Sequence, residues 1–426
     1  MPDKRLDDRY WFLVKAHFQH AQKTAPGLAI PVEAVSSFAA TQAAWRFFGN
    51  ERISPQQLIE PLRQFARQQI DTDDYVLSVV DWSKIDYRKH TAKTDVVQLT
   101  HKTDVGYEST TQLLVDANNG LPIAPFQMHL KTADGLLSTM KTFPENVHHL
   151  EQILPMMNAI AEDNVSKKVV HIIDREADSV WHYRQWSQAG HQFLIRGDSR
   201  RVTWRGSLTM YEPIVEQLEC ENAFRRSREV TIKGKKGIQE VAETKVLLTQ
   251  PAKRQGVEIP GVALELRLVI VRVRSIETGE LLSTWYLLTN VDDEVSAEQI
   301  ALWYYWRWNI ESYFKLMKSA GLELEHWQQE SGEAIFKRLL VASMAAALVW
   351  NLQQLESPEA TELKDTLVRM SGKSVKRSKP YTSGALLSGL FVLLRLFDFL
   401  DEMDYDTGKL LGLRNVLKTV APNLLE

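Results

Sequence analysis

The sequence predicts an α/β protein, with a core of strands and helices interrupted by a strand-rich insertion and flanked by helical regions. Three observations carry this reading. Two short apolar runs, residues 76–80 and 168–173, lead straight into Asp81 and Asp174, as buried central strands do. Between residues 144 and 195 helical patterns alternate with such runs, which is how layered sheets are built. A second strand-rich stretch, 198–290, precedes a long helix that starts near Ser296.

Taken in order, residues 1–71 read as helices. Residues 6–20 and 31–50 carry apolar side chains at helical spacing, Gly49-Asn50 stops the second helix, and Ser54-Pro55 caps and opens a third that runs to Gln69. From Tyr75 strands take over at 76–80, 96–101, 107–115 and 121–129, joined by Gly, Asn and Pro turns. Residues 144–164 read as a helix, 168–173 as a strand, 176–189 as a helix and 193–195 as a short strand, completing a first core segment of 72–197. The insertion, 198–290, holds strands at 230–232, 246–249, 262–273 and 285–288. A second core segment, 291–356, contains the helix from Ser296 and an apolar helix over 334–355. Residues 357–426 form a helical C-terminal region, broken by the basic segment 371–380.

At 426 residues the chain can bury several cores, and its composition is that of an ordinary soluble protein. A net charge of −3 argues against a generally basic nucleic-acid binder, so any such contact falls to local patches. The single cysteine, Cys220, excludes an internal disulfide and a thiolate metal cluster and suits a reducing cytosol. There is no N-terminal signal pattern, and no apolar run reaches the ~20 residues of a membrane span. Residues 384–400 come nearest but contain Arg395 and Asp398. The expected location is the cytosol, with no membrane partner.

The most informative stretch is 304–318. On one helix, Tyr304, Arg307, Glu311, Lys315 and Lys318 share a face. Such a stripe is usually a solvated face laced with ion pairs. Here Trp303, Tyr305, Trp306, Trp308 and Phe314 surround it, so the helix is expected to be buried. A buried carboxylate outnumbered by cations suggests a site for metal and phosphate.

The spacing Tyr-x2-Arg-x3-Glu-x6-Lys resembles the signature of the insertion-sequence-four family of bacterial DDE transposases. Asp174-Arg-Glu-Ala-Asp178, following an apolar strand, resembles that family's second catalytic motif. The resemblance covers about residues 75–355 and implies a ribonuclease-H-like core carrying a β insertion. It implies that Asp81, Asp174 and Glu311 are the catalytic carboxylates. Three carboxylates from distant segments can hold two divalent cations, and oxygen-only donors favour Mg²⁺ or Mn²⁺ over zinc. Asp81 is followed by Trp82-Ser-Lys84 rather than by small hydroxyl residues, and Asp86 is a competing first ligand.

The resemblance further assigns Tyr304, Arg307 and Lys318 to phosphates near the scissile bond and places Arg196 near DNA. Lys315 joins them by spacing alone, against a surface ion pair. Trp285 resembles a tryptophan that stacks on a base flipped from the duplex end; its other reading is a core residue on a strand. Trp308 is a second such candidate. Backbone-tracking clusters are Arg200, Arg201 and Arg205; Arg225, Arg226, Arg228, Lys233, Lys235 and Lys236; and Arg369, Lys373, Lys376, Arg377 and Lys379. The implied activity is cut-and-paste transposition through a hairpin intermediate. Its partners would be double-stranded transposon ends with terminal inverted repeats, and target DNA. Residues 1–71 would bind DNA, 357–426 would form a homodimer contact, and the protein would work at the nucleoid. The alternatives are a metal-dependent nuclease of the same core and a catalytically silent DNA-binding inhibitor of transposition.

Overall fold

The computed structural model describes residues 4–19, 42–70, 74–143, 148–318 apart from 164, 166, 233 and 255, 322–375 and 381–402, together with 404 and 408. It is a mixed α/β structure built on one large sheet with flanking helices. The first strands are β1 (Tyr75–Asp86), β2 (Val97–Gln98), β3 (Val105–Asp116), β4 (Pro122–Thr132), β5 (Gly135–Ser138), β6 (Lys168–Ile173) and β7 (Gln192–Gly197). Those of the 198–290 stretch are β8 (Val202–Trp204), β9 (Ser207–Thr209), β10 (Arg225–Ile232), β11 (Lys235–Leu248), β12 (Ala252–Arg254), β13 (Val257–Ile259), β14 (Leu264–Ser275) and β15 (Leu281–Thr289).

The main sheet runs β5-β4-β3-β1-β6-β7-β15-β14-β11-β8-β9, with β2 beside β3 and β10 beside β11. β1, β6 and β7 are parallel, and β15 joins β7 antiparallel, Leu287 opposite Arg196. The strands of 198–290 therefore continue the core sheet. They also share one hydrophobic cluster with it: Val80, Ile173, Phe193 and Ile195 pack with Val246, Leu266, Leu268, Ile270 and Leu288.

The helices are α1 (Lys4–Gln19), α2 (residues 42–48), α3 (Pro55–Gln69), α4 (Ile153–Glu162), α5 (Val180–Gln188), α6 (Tyr211–Cys220), α7 (Ala297–Trp306), α8 (Trp308–Lys318), α9 (Gly332–Gln354), α10 (Pro358–Met370) and α11 (Ser383–Glu402). Ser54 caps α3 in a full capping box with Gln57. Of the expected 31–50 helix, 31–41 lies outside the described residues, as do 376–380 of the basic segment and Lys233.

Several expectations change. Residues 149–152 are a 3₁₀ turn ahead of the shorter α4, and Arg175–Ala177 is another 3₁₀ turn separated from α5. The insertion includes α6, which its strand-like neighbours hid. α9 is long and apolar enough by length and composition to cross a membrane, contrary to the expectation that no stretch is. Most of it is buried in the core, and its charged residues are satisfied there: Lys337 pairs with Glu333 at 2.6 Å and Arg338 lies over Trp327 at 4.1 Å.

Candidate active site

The parallel register of β1 and β6 aligns Val80 with Ile173 and ends there. One residue further, Asp81 and Asp174 stand side by side where the parallel pairing of these two strands ends, at the edge where α/β sheets place their sites. Asp81 does not end its strand, as its apolar run suggested. β1 continues to Asp86 because β3 still pairs with it, Asp81 opposite Thr111. Asp174 does leave its strand and caps the following turn, accepting the Glu176 N–H at 2.7 Å. Asp86, five residues up β1, is held by Arg88 at 2.5 Å and donates its own N–H to Glu325, so it takes no part in this cluster.

Glu311 arrives on α8. The helix is interrupted for one residue: α7 stops at Trp306 and α8 starts at Trp308, and Arg307 between them keeps helical backbone, φ −50 and ψ −33. The β3–β4 turn packs against this break. Trp303 Nε1 donates to Ala117 O at 2.9 Å, and Asn309 Nδ2 donates to Gly120 O. Gly120 has φ +74, and a Cβ there would fall 2.3 Å from the Trp306 ring. The turn thus needs glycine for its backbone and for its close approach.

Arg307, at this break, reaches the aspartates. Its Nη1 donates to Asp81 Oδ2 at 2.8 Å, and its Nη2 lies 4.0 Å from Glu311 Oε1. Asp81 is 7% exposed and also accepts the Trp82 N–H at 2.8 Å. Burial pushes its carboxyl up to about 6; Arg307 and the Trp82 N–H pull it down, and the charges of Asp174 and Glu311 push it up again. The Glu311 side chain is 48% exposed, so this carboxylate lies at the solvent edge. Burial alone would lower Arg307, but Tyr304 and the three carboxylates outweigh it and hold the guanidinium more firmly charged.

Carboxylate oxygens are the donors that a hard divalent cation takes, and such an ion would offset the charges of Asp174 and Glu311 that act on Asp81. In the arrangement seen, Arg307 is the counter-charge. Among the described residues, no three His, Cys, Asp or Glu side chains are gathered as a ready ligand set.

The remaining sequence-derived residues divide. Tyr304 is buried; desolvation pushes its hydroxyl up to about 12, against the pull of Arg307 and Arg196. Trp285 meets Tyr304 edge-on at 6.1 Å, and Arg196 lies over the Trp285 ring at 5.9 Å. Arg196, Trp285, Tyr304 and Arg307 thus form one basic and aromatic wall. Trp308, expected to be buried, is 56% exposed, with Arg307 5.6 Å from its ring. Lys315 is exposed on α8. Lys318 turns elsewhere, donating to Lys84 O and lying 3.5 Å from Glu325.

Of the basic clusters, Arg200 is consumed internally, paired with Asp178 over the Tyr183 ring, and Arg205 is bound to Glu221. Arg225, Arg226, Lys235 and Lys236 are exposed on the β10–β11 hairpin, which Arg228 ties to Tyr305 at 4.4 Å. The sequence reading missed a group beside the aspartates: Trp82, Glu108, His149 and Glu176. The unexpected Trp82 after Asp81 was the one local signal of it.

Comparison with curated proteins finds no match. Among solved structures, the chain is similar to endonuclease V of Ciona intestinalis, described in complex with a 24mer DNA containing an inosine followed by a ribo-adenosine. That likeness has 9% identity, covers 56% of this chain and 84% of that one, and has a TM-score of 0.22, too low to carry an argument. The transposase DDE domain family matches residues 72–349, well over half of the sequence, and the chain belongs to that family.

Proposed function

We propose that this protein is a cut-and-paste DNA transposase of the insertion-sequence-four type, with a ribonuclease-H-like core, and that Asp81, Asp174 and Glu311 hold two Mg²⁺ or Mn²⁺ ions. The observation that supports it most is the register of β1 and β6, which sets Asp81 and Asp174 side by side, with Arg307 linking Asp81 towards Glu311. When bound, the ions activate water or a 3′-hydroxyl and offset charge on the leaving oxygen.

The chain's own groups do the rest. Arg307 leaves Asp81 for the phosphate beside the scissile bond, where its fork can bind two oxygens. Tyr304, Arg196 and Lys315 hold neighbouring phosphates, and Lys318 joins them only on leaving Lys84 O and Glu325. Trp285 or the already exposed Trp308 receives a base displaced as a hairpin forms. The exposed arginines and lysines of β10–β11 track the backbone. Residues 1–71 contribute DNA contacts, and 357–426 join two protomers.

Joining of a pre-cleaved duplex to plasmid tests this reading against a nuclease of the same core. The expected result is strand joining that requires a divalent ion and a free 3′-hydroxyl on the donor. Hydrolysis of the same duplexes without any joined product would contradict it.

A further inference from the structure

We propose that His149 is a positioning residue for the candidate metal site, clamping the segment after Asp174 to the segment after Asp81 through Glu176 and Trp82. The inference rests on the metal-site reading above.

The two oxygens of Glu176 have separate partners. Oε2 accepts from Trp82 Nε1 at 3.2 Å, and Oε1 lies 3.0 Å from His149 Nε2. The His149 ring stacks on Trp82, with centroids 4.2 Å apart and an interplanar angle of 23°. Its Nδ1 faces Glu108 Oε1 on β3 at 3.4 Å. Both ends of this clamp reach the aspartates. Trp82 follows Asp81 and donates its N–H to it, while the Glu176 N–H bonds the Asp174 carboxylate. The clamp therefore links β1, β3, the 149–152 turn and the turn after β6 around the two strand ends.

An acidic residue opening a turn often does no more than answer the backbone dipole. Glu176 does more, since its side chain bridges two aromatic donors from separate elements. A ring that faces a carboxylate oxygen at each nitrogen can donate at both only as imidazolium. Burial works against the charged ring, but Glu108 and Glu176 outweigh it, raise the His149 pKa and favour imidazolium beside the acidic cluster. Partners that orient metal ligands from behind alter metal affinity by about 10–100-fold when lost.

The test is Mn²⁺ binding by calorimetry on the full-length protein, with plasmid nicking titrated against Mn²⁺ in parallel. His149→Ala should weaken Mn²⁺ binding about 10–100-fold and shift the nicking midpoint equally. His149→Gln, which keeps a donor for Glu176, should recover part of the loss. Thermal unfolding separates this from a purely structural role, which would lower the melting point and leave the Mn²⁺ midpoint in place. If His149→Ala does not fold, Trp82→Phe, which keeps the stack and loses the donor, should show the same metal shift. A His149→Ala protein that binds Mn²⁺ as the wild type does overturns the proposal. Wild-type binding that is absent, or unchanged in Asp174→Asn, overturns the metal-site reading beneath it, and so is told apart.

Discussion

Asp81 carries a charge that its surroundings disfavour, even with Arg307 against it. Its carboxyl titrates near 6 in the folded chain, against about 4 when unfolded. A raised folded value means that the protonated form is favoured by folding. The associated stability is complete below about pH 4 and is lost as pH rises through 6. Without divalent ions, Asp81→Asn should therefore be more stable than the wild type at pH 7.5, by on the order of 1–3 kcal/mol. The gap should close as pH falls to about 4. Urea unfolding in chelator at several pH values measures this, and a less stable Asp81→Asn at pH 7.5 would contradict it. At this scale the sequence was informative where chemistry is local: apolar runs lead to Asp81 and Asp174, and helical spacing sets Arg307 beside Glu311. The pairing of Arg307 with Asp81 was not legible, because it spans 226 positions.

The break between α7 and α8 falls at Arg307, four residues before Glu311. The stretch 304–318 holds no glycine or proline, so it reads as one helix. The β3–β4 turn bonds Trp303 and Asn309 on either side of Arg307. Gly120→Ala should press on Trp306, costing ~1–3 kcal/mol in overpacking, with ~1–2 kcal/mol more for left-handed backbone. Folding and DNA cleavage should fall together, with cleavage falling further because Arg307 is displaced. Melting temperature and nicking rate on one preparation check this; an unchanged melting temperature would show that the turn does not brace the helix around Arg307. Trp308 shows the same limit of sequence reading. Its aromatic neighbours suggest burial, yet it is exposed.

Across the whole molecule, the strands of 198–290 continue the core sheet, and their apolar side chains complete the cluster that holds Val80 and Ile173. Replacing residues 198–280 with a short flexible linker should therefore abolish soluble folded protein. A monomeric product retaining native-like circular dichroism would show that the core stands alone. Of the long strands here, β14 was legible from its β-branched run, whereas most of β11, read only at 246–249, was not. α6 and the short strands were not, since brief segments carry weak periodicity. The clamp around His149 was invisible for another reason. It joins residues 27 to 94 positions apart, through side chains that each have an ordinary role.

The central claim is that Glu311 completes a metal site with Asp81 and Asp174. Glu311→Gln removes the charge, keeps the shape and sits at the solvent edge, so folding should be preserved. A gel-shift titration beside a Mg²⁺-dependent cleavage assay should show DNA binding close to wild type and cleavage reduced by several orders of magnitude. Cleavage at the wild-type rate would mean that Glu311 only balances Arg307, and the catalytic assignment would fall with it.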